Sequence, residues 1–215
     1  MVEKIKPKEF DTNMESNTFS FGQDTSFLVK SLINLYSDKE KSVLRELVSN
    51  AYDASTDSEE KRVVLILGDQ IIVQDFGHGM SPEFMENKYT EIGFSTKRQD
   101  NTKIGSKGLG RMSALSVTPM YTLETCYEGV KYTYSIWYDT NIHIAKIKEE
   151  PTDEVGTKVI LPRKTDYKWE SALQALEFFP NLHVINRGEL IVNNPTFIEY
   201  DGYKFYHTSN KKVVN

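Results

Sequence analysis

The sequence predicts an α+β protein arranged as a two-layer α/β sandwich. Two observations carry this expectation. Helical and strand patterns are mixed along the chain without strict alternation, which disfavours a doubly wound parallel sheet. The stretch from Pro119 to Leu161 is almost continuously strand-like with short turns, whereas the apolar periodicity before residue 55 is helical.

The elements follow in order. Residues 1–23 are polar and broken by Pro7 and Gly22, and read as an N-terminal arm or edge strand. Phe27, Leu28, Leu32 and Leu35 recur at helical spacing and give a first helix ending near Tyr36. Ser37, with Glu40 three residues on, reads as a capping box that starts a second helix, the one carrying Glu46. Arg62 to Leu67 and Gln70 to Gln74 read as strands joined at Gly68-Asp69, which places Asp75 where a strand leaves the sheet. Ser81-Pro82 opens another helix. Residues 93–107 are polar, lysine- and arginine-bearing and aperiodic, the pattern of a mobile lid, and Gly108-Leu109-Gly110 leads into a short helix through Leu115. Strands are expected up to Tyr127, from Val130 to Tyr138, from Ile142 to Ile147 and from Gly156-Thr157. Trp169 to Phe179 reads as a helix, with short strands around Asn193-Asn194-Pro195.

Bulk properties narrow the function. The 215 residues, 39% hydrophobic and 27% charged, suit one good core with at most a small appendage. A formal charge of −5 argues against a chain whose main business is gripping nucleic-acid backbone. The single cysteine, Cys126, cannot make an internal disulfide, so a reducing cytoplasm is the expected compartment. No stretch approaches the length of a membrane span, and the N-terminus has no apolar signal core. The C-terminal tail from Lys211 fits a domain cut from a longer protein. The four histidines, His78, His143, His183 and His207, lack zinc spacing, and His78 is expected at a pocket rim.

The most informative stretch is Arg45 to Ala54. Glu46, Asn50 and Asp53 fall four and three apart and share one helix face, while Leu44, Leu47, Val48 and Ala51 form a separate apolar stripe. Alone, this reads as an amphipathic helix with a solvated polar face. It is followed, however, by Asp75-x-Gly77-x-Gly79-Met80, by a basic segment ending in Gly105-Ser106-Lys107-Gly108-Leu109-Gly110, and by Gly156-Thr157.

With these four motifs in this order the chain resembles the GHKL ATPase superfamily over residues 20 to 165. That group includes Hsp90 chaperones, MutL mismatch-repair proteins, type II topoisomerase ATPase domains, MORC proteins and histidine kinases. The resemblance implies a Bergerat-type fold with a mixed, mostly antiparallel sheet. It also implies a GHKL ATP-binding domain over 24–165, a lid over 93–107, and residues 166–215 as an extension of that domain or the start of a transducer segment. The ligands implied are ATP and Mg²⁺.

Residue by residue, Glu46 resembles the general base for the attacking water, and Asn50 the single protein ligand to Mg²⁺. Asp53 supports the nucleotide from the next turn. Asp75 resembles the aspartate that reads the adenine amine, with Gly77 and Gly79 leaving room for base and sugar and Thr157 supporting the aspartate through water. Met80 packs either the adenine ring or the core. Gly105, Gly108 and Gly110, with Leu109 between the last two, offer backbone N–H groups to phosphates at a helix start. Lys97 matches a lid lysine that touches the γ-phosphate in some branches, with a solvated loop lysine as the equal alternative, and Lys107 stands where relatives vary.

A closer likeness runs to the phage rIIA-like branch, through Leu35-Tyr36-Ser37, Phe94-Ser95-Thr96-Lys97 and Gly156 to Pro162. Arg111-Met112-Ser113-Ala114 departs from its pattern. That branch implies a bacteriophage early protein, with peripheral membrane association in some members. The activity implied is slow ATP hydrolysis, with lid closure coupled to homodimerisation or partner binding. Two alternatives stand beside it: a nucleotide-gated interaction module without significant hydrolysis, and the ATPase subunit of a DNA-clamping assembly.

Overall fold

A computed structural model describes residues 26–34, 36–55, 58, 60–91, 110–193, 195–200 and 203–207. The lid at 93–107, the arm at 1–23 and the site candidates Lys97, Gly105, Lys107, Gly108 and Leu109 lie outside the described residues.

The first helix, α1 (Ser26–Ile33), stops short of Tyr36. Asn34 follows it, its backbone N–H and side-chain amide both donating to the Lys30 carbonyl. The second, α2 (Lys39–Ser55), is not started by the expected Ser37–Glu40 capping box. Asp38 is the cap instead: its carboxylate accepts from Lys41 N–H at 3.3 Å and its carbonyl from Ser42 N–H at 3.1 Å. Glu40 is turned elsewhere, its carboxylate accepting from Lys168 N–H at 3.2 Å.

Next come β1 (Val63–Leu67) and β2 (Gln70–Gln74), an antiparallel hairpin, and then α3 (Pro82–Asn87). The α3 helix is capped as expected, Ser81 Oγ accepting from Phe84 N–H, with Pro82 pre-set for the first turn. The helix after Gly110 is a 3-10 helix, Gly110–Ser116. Four strands follow: β3 (Met120–Tyr127), β4 (Val130–Tyr138), β5 (Ile142–Pro151) and β6 (Gly156–Pro162). β5 is four residues longer than its apolar pattern suggested, because its outer half is held by backbone pairing with Val130 to Thr133 of β4 rather than by burial.

The expected helix from Trp169 to Phe179 is broken into α4 (Trp169–Ala172) and a 3-10 helix, Leu173–Leu176. Trp169, Ala172, Leu176 and Phe179 are all buried at helical spacing. Pro180 cannot continue the helix, and the last turns tighten ahead of it. The chain ends in β7 (Leu182–Asn186), β8 (Glu189–Asn193) and a separate hairpin of β9 (Thr196–Tyr200) with β10 (Tyr203–His207).

Eight strands form one sheet in the order β5-β4-β3-β6-β2-β1-β7-β8, and every pair is antiparallel except β1 with β7. Helices cover one face. Along β1, Val63, Leu65 and Leu67 are buried beneath them while Val64 and Ile66 stay half-buried on the other side. This is the α+β two-layer architecture that the sequence predicts.

The core sits between the apolar stripe of α2 and the inner face of the sheet. Val43, Leu44 and Val48 have no exposed surface. Leu44→Ala should therefore destabilise the protein by roughly 2–5 kcal/mol, read as a fall in the urea midpoint with unchanged slope. A loss under about 1 kcal/mol would mean that α2 is not the keystone of the core.

Candidate functional site

The site begins at one end of the sheet. β2 and β6 run antiparallel with Gln74 opposite Lys158, so the residue after β2 and the first residues of β6 arrive together. Asp75 is 5% exposed there. Its backbone N–H donates to the Thr157 carbonyl at 2.9 Å, and its Oδ1 accepts from Gly77 N–H at 2.9 Å and Thr157 N–H at 3.1 Å. Hydrogen bonds to an ionised group are the strong ones, and they offset the cost of burying it.

Two glycines make this junction sterically feasible. Gly156 has φ +88°, and a Cβ there would lie 2.1 Å from the Asp75 carbonyl oxygen. Gly79 has φ +69°, and a Cβ there would lie 1.8 Å from the Cys126 carbonyl oxygen on β3. Their role in the fold is thus close backbone approach. Gly77 lies against the Ala54 carbonyl at the end of α2, which brings that helix to the sheet terminus.

The polar face of α2 forms the wall. Glu46 and Asn50 are half-buried and Asp53 is 4% exposed. At 1.5 Å per residue, Glu46 and Asp53 are roughly 10 Å apart along the axis. Gly110, at the start of the 3-10 helix, is pressed against the other end of this row: a Cβ there would lie 2.1 Å from Glu46 Oε2. Tyr36 also stands beside Glu46. Burial, then the negative Glu46 and a hydrogen bond to it, push the phenol's pKa up. His78 is exposed, and Met80 is half-buried against the core.

Of the described candidates, Asp75, Gly77, Gly79, Met80 and Thr157 therefore meet at one sheet end. Glu46, Asn50 and Asp53 line the helix above, tied to that end through Gly77 and to the Gly110 segment through Glu46.

Sequence reading missed a second tier. Thr125 on β3 has no exposed surface and stands directly opposite Thr157. Its hydroxyl accepts from Met80 N–H at 2.8 Å and lies 3.2 Å from the Thr157 hydroxyl. The signal available was only a threonine at an inward-facing position of an alternating strand. A further cluster anchors the start of the 3-10 helix. Arg111 donates to the Glu91 carbonyl and lies over the Tyr89 ring, 5.2 Å from its centroid, while Tyr121 donates to the Arg111 carbonyl at 3.2 Å. Burial pushes the Tyr121 phenol well above its ordinary pKa, so this contact is made by a neutral hydroxyl.

The chain is similar to the putative type II restriction enzyme HgiDII of Herpetosiphon aurantiacus, 29% identical over 161 residues. The match takes in 65% of this chain and 26% of that protein, so the chain spans about a quarter of its relative's length. A family model described as histidine kinase-, DNA gyrase B- and HSP90-like ATPase matches residues 36–164, which hold α2, the Asp75 loop and the start of β6. More than half of the chain fits that model, and the protein belongs to this GHKL-type ATPase family.

Proposed function

We propose that this domain binds ATP with Mg²⁺ and hydrolyses it slowly, and that closure of the 93–107 lid over the γ-phosphate couples binding to self-association or to a protein partner. The observation that carries the reading is the buried Asp75 carboxylate, clamped by Gly77 and Thr157, lying beneath a helix face of Glu46, Asn50 and Asp53.

The residues suit the ligand. Asp75 offers an acceptor that suits an exocyclic amine, and a site built around a buried acceptor penalises any base that lacks the donor. Asn50 supplies a neutral oxygen for a hard cation, and Asp53 backs it one turn on. Among the described residues no group of three or more acidic, histidine or cysteine side chains gathers to hold a metal. This suits a magnesium ion that takes most of its ligands from phosphate and water. When bound, that ion would neutralise charge on the phosphates.

The chain's own chemistry is Glu46's. Its carboxylate orients the attacking water and accepts its proton, with Tyr36 hydrogen-bonded to it and Gly110 packed close against it. The glycines at 105, 108 and 110 with Leu109 offer backbone donors to the phosphates, and Lys97 and Lys107 supply charge from the lid. The reading does not depend on the phage rIIA-like branch. No helix among the described residues is long and apolar enough to cross a membrane, and we place the domain in a reducing cytoplasm.

One observation favours a second reading, in which the domain drives a DNA-acting assembly: the restriction-enzyme name of the relative. With a net charge of −5, DNA contact would fall mainly to other parts of such a protein. Salt-dependent DNA binding by this chain, in the presence and absence of ATP, separates the readings.

Three outcomes test the main proposal. Glu46→Ala should keep ATP affinity and lose phosphate release by about 10²–10⁴-fold, the usual worth of a general base. Undiminished release would remove Glu46 from that role. In calorimetric titration with ATP and Mg²⁺, Asp75→Asn should bind at least tenfold more weakly, a loss of about 1.4 kcal/mol. Equal affinities would end the adenine-reading assignment. Dimerisation that is equal with ATP and with a non-hydrolysable analogue would make binding the switch and turnover incidental.

A further inference from the structure

The geometry around Thr125 points to a residue that sets base selectivity without touching the base. We propose that Thr125 fixes the direction of the Thr157 hydroxyl, so that it donates toward the nucleotide's purine ring nitrogen beside the Asp75 acceptor. The inference rests on the ATP-binding reading above and names a specificity determinant within it.

The argument is one of proton accounting. Thr125 is fully buried, and its hydroxyl has two polar neighbours among the described residues: Met80 N–H at 2.8 Å and the Thr157 hydroxyl at 3.2 Å. A backbone N–H can only donate, so Thr125 Oγ1 must accept from Met80. The Thr125 proton then needs an acceptor, since a buried hydroxyl proton without one is strongly disfavoured. Thr157 Oγ1 is that acceptor. With one of its lone pairs taken in this way, Thr157 turns its own proton away from β3. Thr157 is only half-buried, and its backbone N–H donates to Asp75 Oδ1, which places the residue between Thr125 and the Asp75 carboxylate.

The result is a fixed pair, an acceptor at Asp75 and a donor at Thr157. Adenine presents the complement, an amine donor next to a ring nitrogen that accepts. Guanine presents the reverse at the same edge, a carbonyl acceptor next to an N–H donor. A threonine free to rotate could serve either base. Thr125 removes that freedom, and it does so through an isolated pair of cross-strand neighbours whose register is set by β3 and β6.

The test measures dissociation constants for ATP and for 1-deaza-ATP, which lacks the accepting ring nitrogen, on the wild-type protein, Thr125→Val and Thr125→Ser. The wild type should prefer ATP by roughly three- to tenfold, the ordinary worth of one hydrogen bond. In Thr125→Val that ratio should fall to near one, while Thr125→Ser restores it. A general loosening of the Met80 loop would weaken both ligands alike and leave the ratio unchanged, and an unchanged ratio overturns the proposal. Should Thr125→Val not fold, Thr157→Ala must abolish the same ratio, and a retained ratio there is equally fatal. A nucleotide-free readout keeps this apart from the ATP-binding reading. By NMR the Thr125 hydroxyl proton should exchange slowly and show a contact to Thr157, and fast exchange would overturn the relay whatever the nucleotide does. Failure of the wild type to bind ATP, with the slow Thr125 proton present, would instead strike the function proposed above.

Discussion

A carboxylate 5% exposed to water at the end of a strand is the constraint from which the site is built. Burying a charge is tolerated only where hydrogen bonds replace its hydration, and at Asp75 backbone N–H groups of β6 and of the loop after β2 supply part of that replacement. Each such bond to an ionised group contributes on the order of 1.5–3 kcal/mol. Because these donors are main-chain, they fix more than a side chain. Thr157 can reach Asp75 only if β2 and β6 keep their register, and Gly156 must sit under the Asp75 carbonyl, where no side chain fits. Sheet register, a left-handed glycine and a buried acceptor are therefore one feature rather than three.

The second constraint is that a single helix serves both core and site. Leu44, Leu47, Val48 and Ala51 pin α2 into the apolar layer, and the opposite face carries Glu46, Asn50 and Asp53. Polar groups held on a helix that is locked by packing are positioned more sharply than groups on a loop. Two close approaches then fix the helix along its length, Gly77 against the Ala54 carbonyl and Gly110 against the Glu46 carboxylate. The polar row is thus referenced to the sheet at one end and to the 3-10 helix at the other.

These two features were also what the sequence made legible, for a physical reason. Helical periodicity separates Leu44, Leu47 and Val48 from Glu46 and Asn50 without any tertiary knowledge, and Asp75-x-Gly-x-Gly marks a strand end through its own local chemistry. What was misread depended on distant partners. Ser37 and Glu40 have capping-box spacing, yet Asp38 takes the cap while Glu40 binds Lys168 N–H, 128 residues away. Trp169 to Phe179 keeps helical spacing but cannot stay helical ahead of Pro180. The parallel pairing of β1 with β7 joins residues more than a hundred positions apart, and no local pattern announces it.

Thr125 belongs to the same category, and it shows where the hidden organisation lies. Tyr121, Leu123 and Thr125 alternate along β3 and are all buried on one face. Tyr121 donates to the Arg111 carbonyl, the residue after the glycine that abuts Glu46. Leu123 fills the core between, and Thr125 holds Met80 and faces Thr157. The Cys126 carbonyl, next along the strand, is the surface against which Gly79 is pressed. One strand without a single motif residue therefore seats both the segment that leads to the proposed base and the loop that carries Asp75. Spacing those two by four residues of a rigid strand sets their separation independently of α2. Helix and strand then bridge the same two points, so the polar row of α2 and the Asp75 loop are held at a separation that two independent elements set.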